Sequence, residues 1–317
     1  MSSSDAAAGA PAPLGEGKWD GRQLGRPFIL SLDGTYWIFY CGSDLWGEWK
    51  IGAATSEDGI EWDRLADEAL LVPPATRLSG GGWHSYENPW AQLTPEGFRL
   101  VACAQGDDPK SAIVSFVSAD GDTWSDPVVE LVAPTSSEGV LHLRDPWIVE
   151  DDGRESLFVT RVLTRPFDRE TRIVRYVRTN GGEWTESGTM IVDPDGGEIS
   201  HPAILKTDDG WTLWFSSFFE GRFRILVAHS ADLVTWTAPT EALAGDPTSI
   251  YETQGVFGPM VVAHEGGFLL WHLTSSRTSD GMSISVRLRR SADAVTWTVV
   301  SERPVFTARP GVPVRPW

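Results

Sequence analysis

The chain has 317 residues, of which 41% are hydrophobic and 22% are charged, an ordinary composition for a soluble globular protein. An excess of 44 acidic over 26 basic residues gives a net charge of −18, so neither nucleic acid nor an anionic membrane is expected as a partner. Because no stretch approaches about eighteen uninterrupted apolar residues, no transmembrane helix is expected.

The N-terminal residues 1–17 are rich in Ala, Ser, Pro and Gly, which predicts a flexible segment ahead of a single domain over residues 18–317. The segment has neither a basic start nor an apolar core. It therefore does not resemble a secretory signal, and we expect a cytoplasmic protein. Cys41 and Cys103 lie in apolar, strand-like runs, where reduced and buried thiols are expected.

Further along the chain, one turn pattern recurs five times. Each copy ends an apolar run and places Asp or Asn four residues before a Trp. Asp and Asn suit a tight turn, because their side chains accept hydrogen bonds from nearby backbone N–H groups. The five pairs are Asp58 and Trp62, Asp120 and Trp124, Asn180 and Trp184, Asp232 and Trp236, and Asp293 and Trp297. The same Trp in every copy could form a ladder for stacking sugars, but identical placement favours a structural role in packing.

A second pattern has the same period. Short apolar strands open around the prolines Pro27, Pro89, Pro146, Pro202 and Pro259. Between the two patterns lie β-branched and aromatic runs that are typical of buried strands. Five four-stranded units predict an all-β fold, a five-bladed β-propeller with four antiparallel strands per blade. An open solenoid would need polar capping units, and none of the five units looks atypical.

The first strand of each propeller blade lines the central channel, so the residues around the five prolines should converge at one funnel. Polar groups are costly to bury there, and convergent carboxylates indicate acid/base or electrostatic chemistry. The acid/base candidates are Glu87, Asp145, Glu198, His201 and Glu252. The candidates for substrate binding are Arg26, Trp83, Tyr86, Asn88, Arg144, Tyr251 and Gln254. Any one of these charges could instead cap a turn or pair with a neighbouring blade.

Three histidines on the funnel side also suggest a metal site. They are His84, His142 and His201, but they come from different blades and have no short ligand spacing. We therefore expect neither a metal nor a cofactor. No G-x-S-x-G motif supports a serine hydrolase.

The five-fold period, the S-x-D-x-x-x-W turns and "LRDPWIV" together resemble the five-bladed propeller glycosidases of glycoside hydrolase families 32, 43 and 68, over about residues 18 to 308. The resemblance implies three catalytic positions: a first-blade Asp as base or nucleophile, a third-blade Asp, and a fourth-blade Glu as general acid. Asp145 matches the third-blade Asp. Arg26 stands at the first position, where the nearest carboxylate is Asp20. Ser200 stands at the fourth-blade position, two residues after Glu198.

The resemblance thus implies a glycoside hydrolase that acts on a small glycoside or an oligosaccharide by carboxylate acid/base chemistry. Two alternatives stay open, because a fold alone does not decide function. One is a non-hydrolytic propeller enzyme of small-molecule biosynthesis, in which Arg26 and Arg144 would suit an anionic group. The other is a catalytically silent sugar-binding propeller.

Overall fold

The structure, a computed structural model, describes residues 19–21, 23–44, 48–75, 81–137, 139–166, 168–278 and 281–307. The segment 1–17, predicted to be flexible, lies outside the described residues. Within the described ranges the regular secondary structure consists of strands. No helix in this part of the chain is long and apolar enough to span a membrane.

The strands fall into five consecutive repeat units. Unit 1 contains β1 (Gln23–Leu32), β2 (Thr35–Ser43), β3 (Lys50–Ser56) and β4 (Asp63–Arg64). Unit 2 contains β5 (Trp83–Thr94), β6 (Gly97–Gly106), β7 (Ser111–Ser118) and β8 (Val128–Val132). Unit 3 contains β9 (Val140–Asp151), β10 (Arg154–Arg165), β11 (Asp168–Thr179) and β12 (Thr185–Ile191). Unit 4 contains β13 (Glu198–Thr207), β14 (Gly210–Phe219), β15 (Arg222–Ser230) and β16 (Thr240–Ala244). Unit 5 contains β17 (Gly255–His264), β18 (Gly267–Thr278), β19 (Gly281–Ser291), β20 (Thr298–Val299) and β21 (Phe306–Thr307).

Within each unit, strands that follow one another in sequence pair antiparallel, except that β21 pairs with β19 and not with β20. The prediction of an all-β, antiparallel fold is confirmed. Units 4 and 5 also share one parallel contact, between Phe223 of β15 and Gly255 of β17. The first strands contact one another in cyclic order: β1 with β5, β5 with β9, β9 with β13, β13 with β17, and β17 with β1. Residues far apart in sequence therefore meet where these first strands meet.

The second strand of each unit supplies much of the core. In β6, Leu100, Val101 and Ala102 are fully buried in succession, and Leu213 and Phe215 of β14 are buried in the same way. Such continuous burial is expected for a strand with both faces covered. The apolar runs between the two sequence patterns are therefore buried strands, as predicted.

The repeated Trp residues pack between units. The Trp124 ring meets Phe39 of unit 1 edge to face, with centroids 6.0 Å apart. Trp236 meets Phe158 of unit 3 in the same geometry, also at 6.0 Å. Edge-to-face pairs of this kind stabilise a core beyond the area that they bury. In these two copies the repeated Trp packs on the preceding unit, as the structural interpretation predicts.

Candidate active site

An irregularity of strand pairing positions the residue before each of the five prolines. In every unit the register between first and second strands shifts at this point, as in a β-bulge. In units 2 to 5 the same residue also has a positive φ: Asn88 (51°), Asp145 (52°), His201 (56°) and Gly258 (59°). For the three residues other than glycine this conformation is strained, and backbone strain clusters at functional sites, because the surrounding structure must hold it in place.

Asp145 is the centre of the polar cluster that these residues form. Its carboxylate accepts a hydrogen bond from Asn88 Nδ2 and another from the backbone N–H of His201, which lies 3.0 Å from Oδ2. The ring atom His201 Nε2 lies 3.8 Å from Asp145 Oδ1. Only 2% of Asp145 is exposed. A buried carboxylate is thus held by donors from units 2 and 4.

Arg26 reaches the same cluster from unit 1. Its Nη2 donates hydrogen bonds to the carbonyl oxygens of Pro202 and Pro259, at 2.8 and 3.2 Å. Its Cζ lies 5.6 Å from the centroid of the Trp147 ring, a cation–π contact. Arg26 is 1% exposed, so its charge is removed from water. The two carbonyl groups and the negative charge of Asp145 compensate it. The guanidinium therefore links unit 1 to units 4 and 5.

The charges around Asp145 decide its protonation. Burial is the largest influence on the pKa of Asp145 and would raise it. The charges of His201, Arg26 and Arg144 oppose burial and together hold this pKa below its usual range. Burial also lowers the pKa of His201 to about 4, so that its ring is neutral near pH 7. Arg26 and Arg144 are therefore the groups that remain positively charged at neutral pH and keep Asp145 ionised.

Glu87 and Arg144 form a second pair beside Asp145. Arg144 Nη2 lies 2.7 Å from Glu87 Oε2, and the Ser85 hydroxyl donates to Glu87 Oε1 at 3.1 Å. Burial would lower the pKa of Arg144, but the adjacent Glu87 outweighs it and raises this pKa. Glu87 therefore serves chiefly to neutralise Arg144.

Asp145 lines a cavity of about 210 Å³, whose wall also carries Arg144, Glu198, Ser200 and His201. This volume is below the range of about 300–1,000 Å³ that takes drug-sized ligands, so the cavity would enclose only a small molecule or one part of a larger one. The Glu198 side chain is 41% exposed, in contrast to Asp145. The Ser200 hydroxyl lies 2.8 Å from His201 Nδ1. Among the described residues of the lining, Asp145 and Glu198 are the carboxylates.

Glu252 is not among the residues that line this cavity. Its carboxylate is fully buried and lies 3.0 Å from Arg287 Nη1 and 2.9 Å from Arg289 Nη2. The backbone N–H of Asp246 donates to it at 3.0 Å. Two cations and a backbone donor hold Glu252 inside unit 5, so its contacts are those of an internal ion cluster.

The three aromatic candidates and Gln254 are also absent from the described lining of the cavity. The Tyr86 ring meets Phe116 edge to face at 5.2 Å inside unit 2. Trp83 packs against Gly106, where an added Cβ would lie 2.9 Å from its ring. The two others stay near the Glu252 cluster: Arg287 lies over the Tyr251 ring at 5.6 Å, and Gln254 Nε2 lies 3.4 Å from the Thr253 carbonyl.

Asp20 does not replace the carboxylate expected in the first unit. It is fully buried, accepts a hydrogen bond from the Tyr40 hydroxyl at 2.9 Å and pairs with Arg64. Asp20 therefore stabilises the interior of unit 1 and is not among the residues of the cavity wall.

Sequence reasoning missed Arg169, Phe218 and Phe223, which all line the cavity. They come from β11, β14 and β15, whereas the proline pattern marks only the first strand of each unit. Phe218 and Phe223 face each other across the β14–β15 hairpin with ring centroids 4.7 Å apart. The run "FFEGRF" (218–223) indicates this part of the site in the sequence, because a hairpin tip with three aromatic residues brings large apolar side chains to one end of a unit.

The histidines do not form a common site. His142 Nδ1 lies 3.3 Å from Gln105 Oε1, and His201 is bound to the serine hydroxyl of Ser200. The described residues contain no group of three or more His, Cys, Asp or Glu that could hold a metal ion.

Comparisons with known proteins agree with this architecture. No family model and no curated protein matches the chain. A thermostable family-43 glycoside hydrolase is similar with a TM-score of 0.65 and 13% identity, over 92% of this chain and 96% of the other. The α-L-arabinanase of Cellvibrio cellulosa is similar with a TM-score of 0.60 and 15% identity, over 84% of this chain and 91% of the other. A GH32 β-fructofuranosidase from Bombyx mori is similar with a TM-score of 0.61 and 12% identity, over 84% of this chain and 62% of the other.

The chain thus shares its fold with these glycoside hydrolases, and the resemblance predicted from its sequence is confirmed at the level of the fold. At these identities the likeness shows the fold alone, because side chains at the site can differ completely between proteins of one fold.

Proposed function

We propose that this protein is a five-bladed β-propeller glycoside hydrolase that acts on a small glycoside or oligosaccharide in the cavity beside Asp145. The observation that carries the proposal is the pair of carboxylates on one cavity wall. Asp145 is buried and ionised, whereas Glu198 is the more exposed of the two. Most glycoside hydrolases cleave the glycosidic bond with two carboxyl groups that lie in different environments.

The five-bladed arrangement is supported by the contacts between first strands. These strands touch in cyclic order from β1 to β17 and back to β1. Arg26 adds hydrogen bonds from unit 1 to Pro202 in unit 4 and Pro259 in unit 5. In this proposal the five repeat units are the blades, and the bulged residues before the prolines line the central channel.

In the proposed reaction Glu198 protonates the oxygen of the leaving group as the glycosidic bond breaks. Positive charge then develops on the sugar ring, and the ionised Asp145 stabilises that charge. A water molecule adds its hydroxyl group to the anomeric carbon and returns its other proton to Glu198. Phe218 and Phe223, which also line the cavity, would supply apolar surface next to the sugar ring.

A non-hydrolytic function of the same cavity is the second candidate, and Arg26 favours it. This residue stands where the resemblance implies a carboxylate, and its guanidinium is bound to two backbone carbonyls. A chain that bound sugar without cleaving it would need the cavity but no base at this position.

A panel of aryl glycosides tests the first candidate directly. Arabinosides, xylosides, fructosides and galactosides would be incubated with the wild type and with Asp145→Asn and Glu198→Gln. We expect release of the aryl alcohol from at least one glycoside, and its loss in both variants. Glu186→Gln is the matched control, since Glu186 is 43% exposed and pairs with Arg161 outside the cavity. Sugar binding without release of the aryl alcohol would favour the second candidate.

A further inference from the structure

Two guanidinium groups line the cavity, in a chain whose net charge is −18. Arg144 donates to Glu87 at 2.7 Å, which is a short, charge-assisted hydrogen bond. Arg169 is different, because its Nη1 lies 3.4 Å from Glu198 Oε2. Charge-assisted hydrogen bonds of this type are typically about 2.7–2.9 Å long. The contact between Arg169 and Glu198 is therefore a loose ion pair.

Arg169 also has an unused donor. Its Nε is buried and has no hydrogen-bond partner among the described residues. A buried donor without an acceptor costs free energy, so such a group is normally satisfied by a ligand, by water or by another side chain. The planar guanidinium presents Nε and a neighbouring amino group side by side, which is the arrangement that binds two oxygens of one oxyanion.

Several cations lie close enough to His142 to affect its titration. The pKa of His142 falls to about 4, first because of burial and then because of the charges of Arg144, Arg169 and Lys110. Three cations therefore act on one side chain near the cavity wall. Asp145 and Glu198 on the same wall balance this positive charge, so an anion would be held by the hydrogen-bond donors of one guanidinium and not by a net positive field.

We propose that the ligand of this cavity carries an oxyanion, either a carboxylate or a phosphate, and that Arg169 binds it through Nε and the adjacent amino group. The inference deepens the proposed function, on which it rests, by naming the substrate class of the same cavity. The fork formed by Nε and Nη2 faces away from Nη1, so the oxyanion would leave the contact between Nη1 and Glu198 in place. The uncharged part of the sugar would then face Asp145.

Isothermal titration calorimetry at neutral pH and physiological salt tests this assignment with four probes: glucuronate, glucose 6-phosphate, glucose and inorganic phosphate. We expect glucuronate or glucose 6-phosphate to bind at least roughly tenfold more tightly than glucose, the size of effect that one charged contact supplies. The preferred anionic probe identifies the group as a carboxylate or a phosphate.

Three variants separate binding by Arg169 from a general effect of charge. Arg169→Gln should remove the preference for the anionic sugar, and Arg169→Lys should restore part of it, because Lys keeps the charge but loses the planar fork. Arg161→Gln is the matched control: Arg161 lies in the same unit, pairs with Glu186 at 3.0 Å and is outside the lining of the cavity. It should leave every affinity unchanged.

The outcomes distinguish this inference from the proposed function. If glucose binds as tightly as both anionic sugars, or if Arg169→Gln keeps the preference, the oxyanion assignment is wrong while a sugar site remains. If inorganic phosphate binds through Arg169 but no sugar binds, the oxyanion site stands and the glycosidase proposal fails. Absence of binding by all four probes would overturn the oxyanion assignment.

Discussion

The backbone N–H of His201 donates a hydrogen bond to Asp145 Oδ2 at 3.0 Å, although the two residues belong to different units and lie 56 positions apart. Both stand directly before a proline, and both have a positive φ. The backbone conformation of unit 4 thus helps to fix the carboxylate of unit 3. Preorganised donors of this kind hold a charged group in place without a cost at the moment of reaction.

Replacing Asp145 by Asn should lower turnover at least about a hundredfold, which corresponds to about 2.7 kcal/mol of barrier. The variant keeps the shape of the side chain but removes the charge. It should also lower the free energy of unfolding by about 1–3 kcal/mol, because the buried Arg26 loses its compensating anion. Steady-state kinetics and urea denaturation measure the two effects. Near-wild-type turnover on the true substrate would leave Asp145 with a structural role only.

Protonation of His201 should make the protein less stable in acid. Burial lowers the folded-state pKa of His201 to about 4, whereas an unfolded His titrates near 6.5. The resulting stability is fully present above pH 6.5 and is lost as the pH falls from 6.5 to 4, by about 3 kcal/mol in total. Urea denaturation at pH 7, 5 and 4 measures this loss.

His142 and His272 have lowered pKa values as well, of about 4 and about 3, so wild-type data alone do not isolate His201. The His201→Gln variant does, because it removes one titrating group and leaves the other two. Its free energy of unfolding should fall less steeply between pH 6.5 and 4 than that of the wild type. An identical slope in the two proteins would mean that His201 is not buried in its neutral form.

Arg26→Met should shift the acid limb of the pH–rate profile upward. The guanidinium lowers the pKa of Asp145, so its loss lets this pKa rise, and Asp145 becomes protonated at a higher pH. Arg26→Lys keeps the positive charge and should keep the acid limb close to that of the wild type. The measurement is kcat/KM between pH 4 and 8 for all three proteins, and a profile that does not move in Arg26→Met would contradict the assignment.

Trp124→Ala should lower the free energy of unfolding by about 2–4 kcal/mol, since it removes a large ring packed between two units. Activity of the folded protein should not change, because Trp124 is not among the residues that line the cavity. Trp236→Ala tests the equivalent contact in unit 4. Loss of activity at unchanged stability would assign these Trp residues to the site instead.

Local signals explain why the repeat units could be predicted. Asp58 Oδ1 accepts hydrogen bonds from the backbone N–H groups of Ile60 and Glu61 at 2.8 and 2.9 Å, and such a turn depends on a few adjacent residues. The meeting of Asn88, Asp145 and His201 could likewise be expected, because one proline pattern marks equivalent places in successive units.

Contacts between distant strands explain what could not be predicted. Glu252 is neutralised by Arg287 and Arg289, and nothing in the sequence around Glu252 indicates those partners. Arg169 lines the cavity because β10 and β11, of 12 residues each, extend their hairpin to it. Strand length and pairing partners of this kind follow from the tertiary structure, so a first-strand pattern carries no information about them.

The hydrogen bonds of Arg26 have a consequence for the order in which the molecule is completed. A ribosome synthesises Arg26 well before its carbonyl acceptors at Pro202 and Pro259, which follow it by 176 and 233 residues. Until then the guanidinium of a nascent chain has to stay hydrated, although the strands around it can already pair locally. The links that Arg26 makes between units are therefore completed only once unit 5 has begun, and a chain released before Pro259 would lack the hydrogen bond to that carbonyl while keeping the earlier sheets.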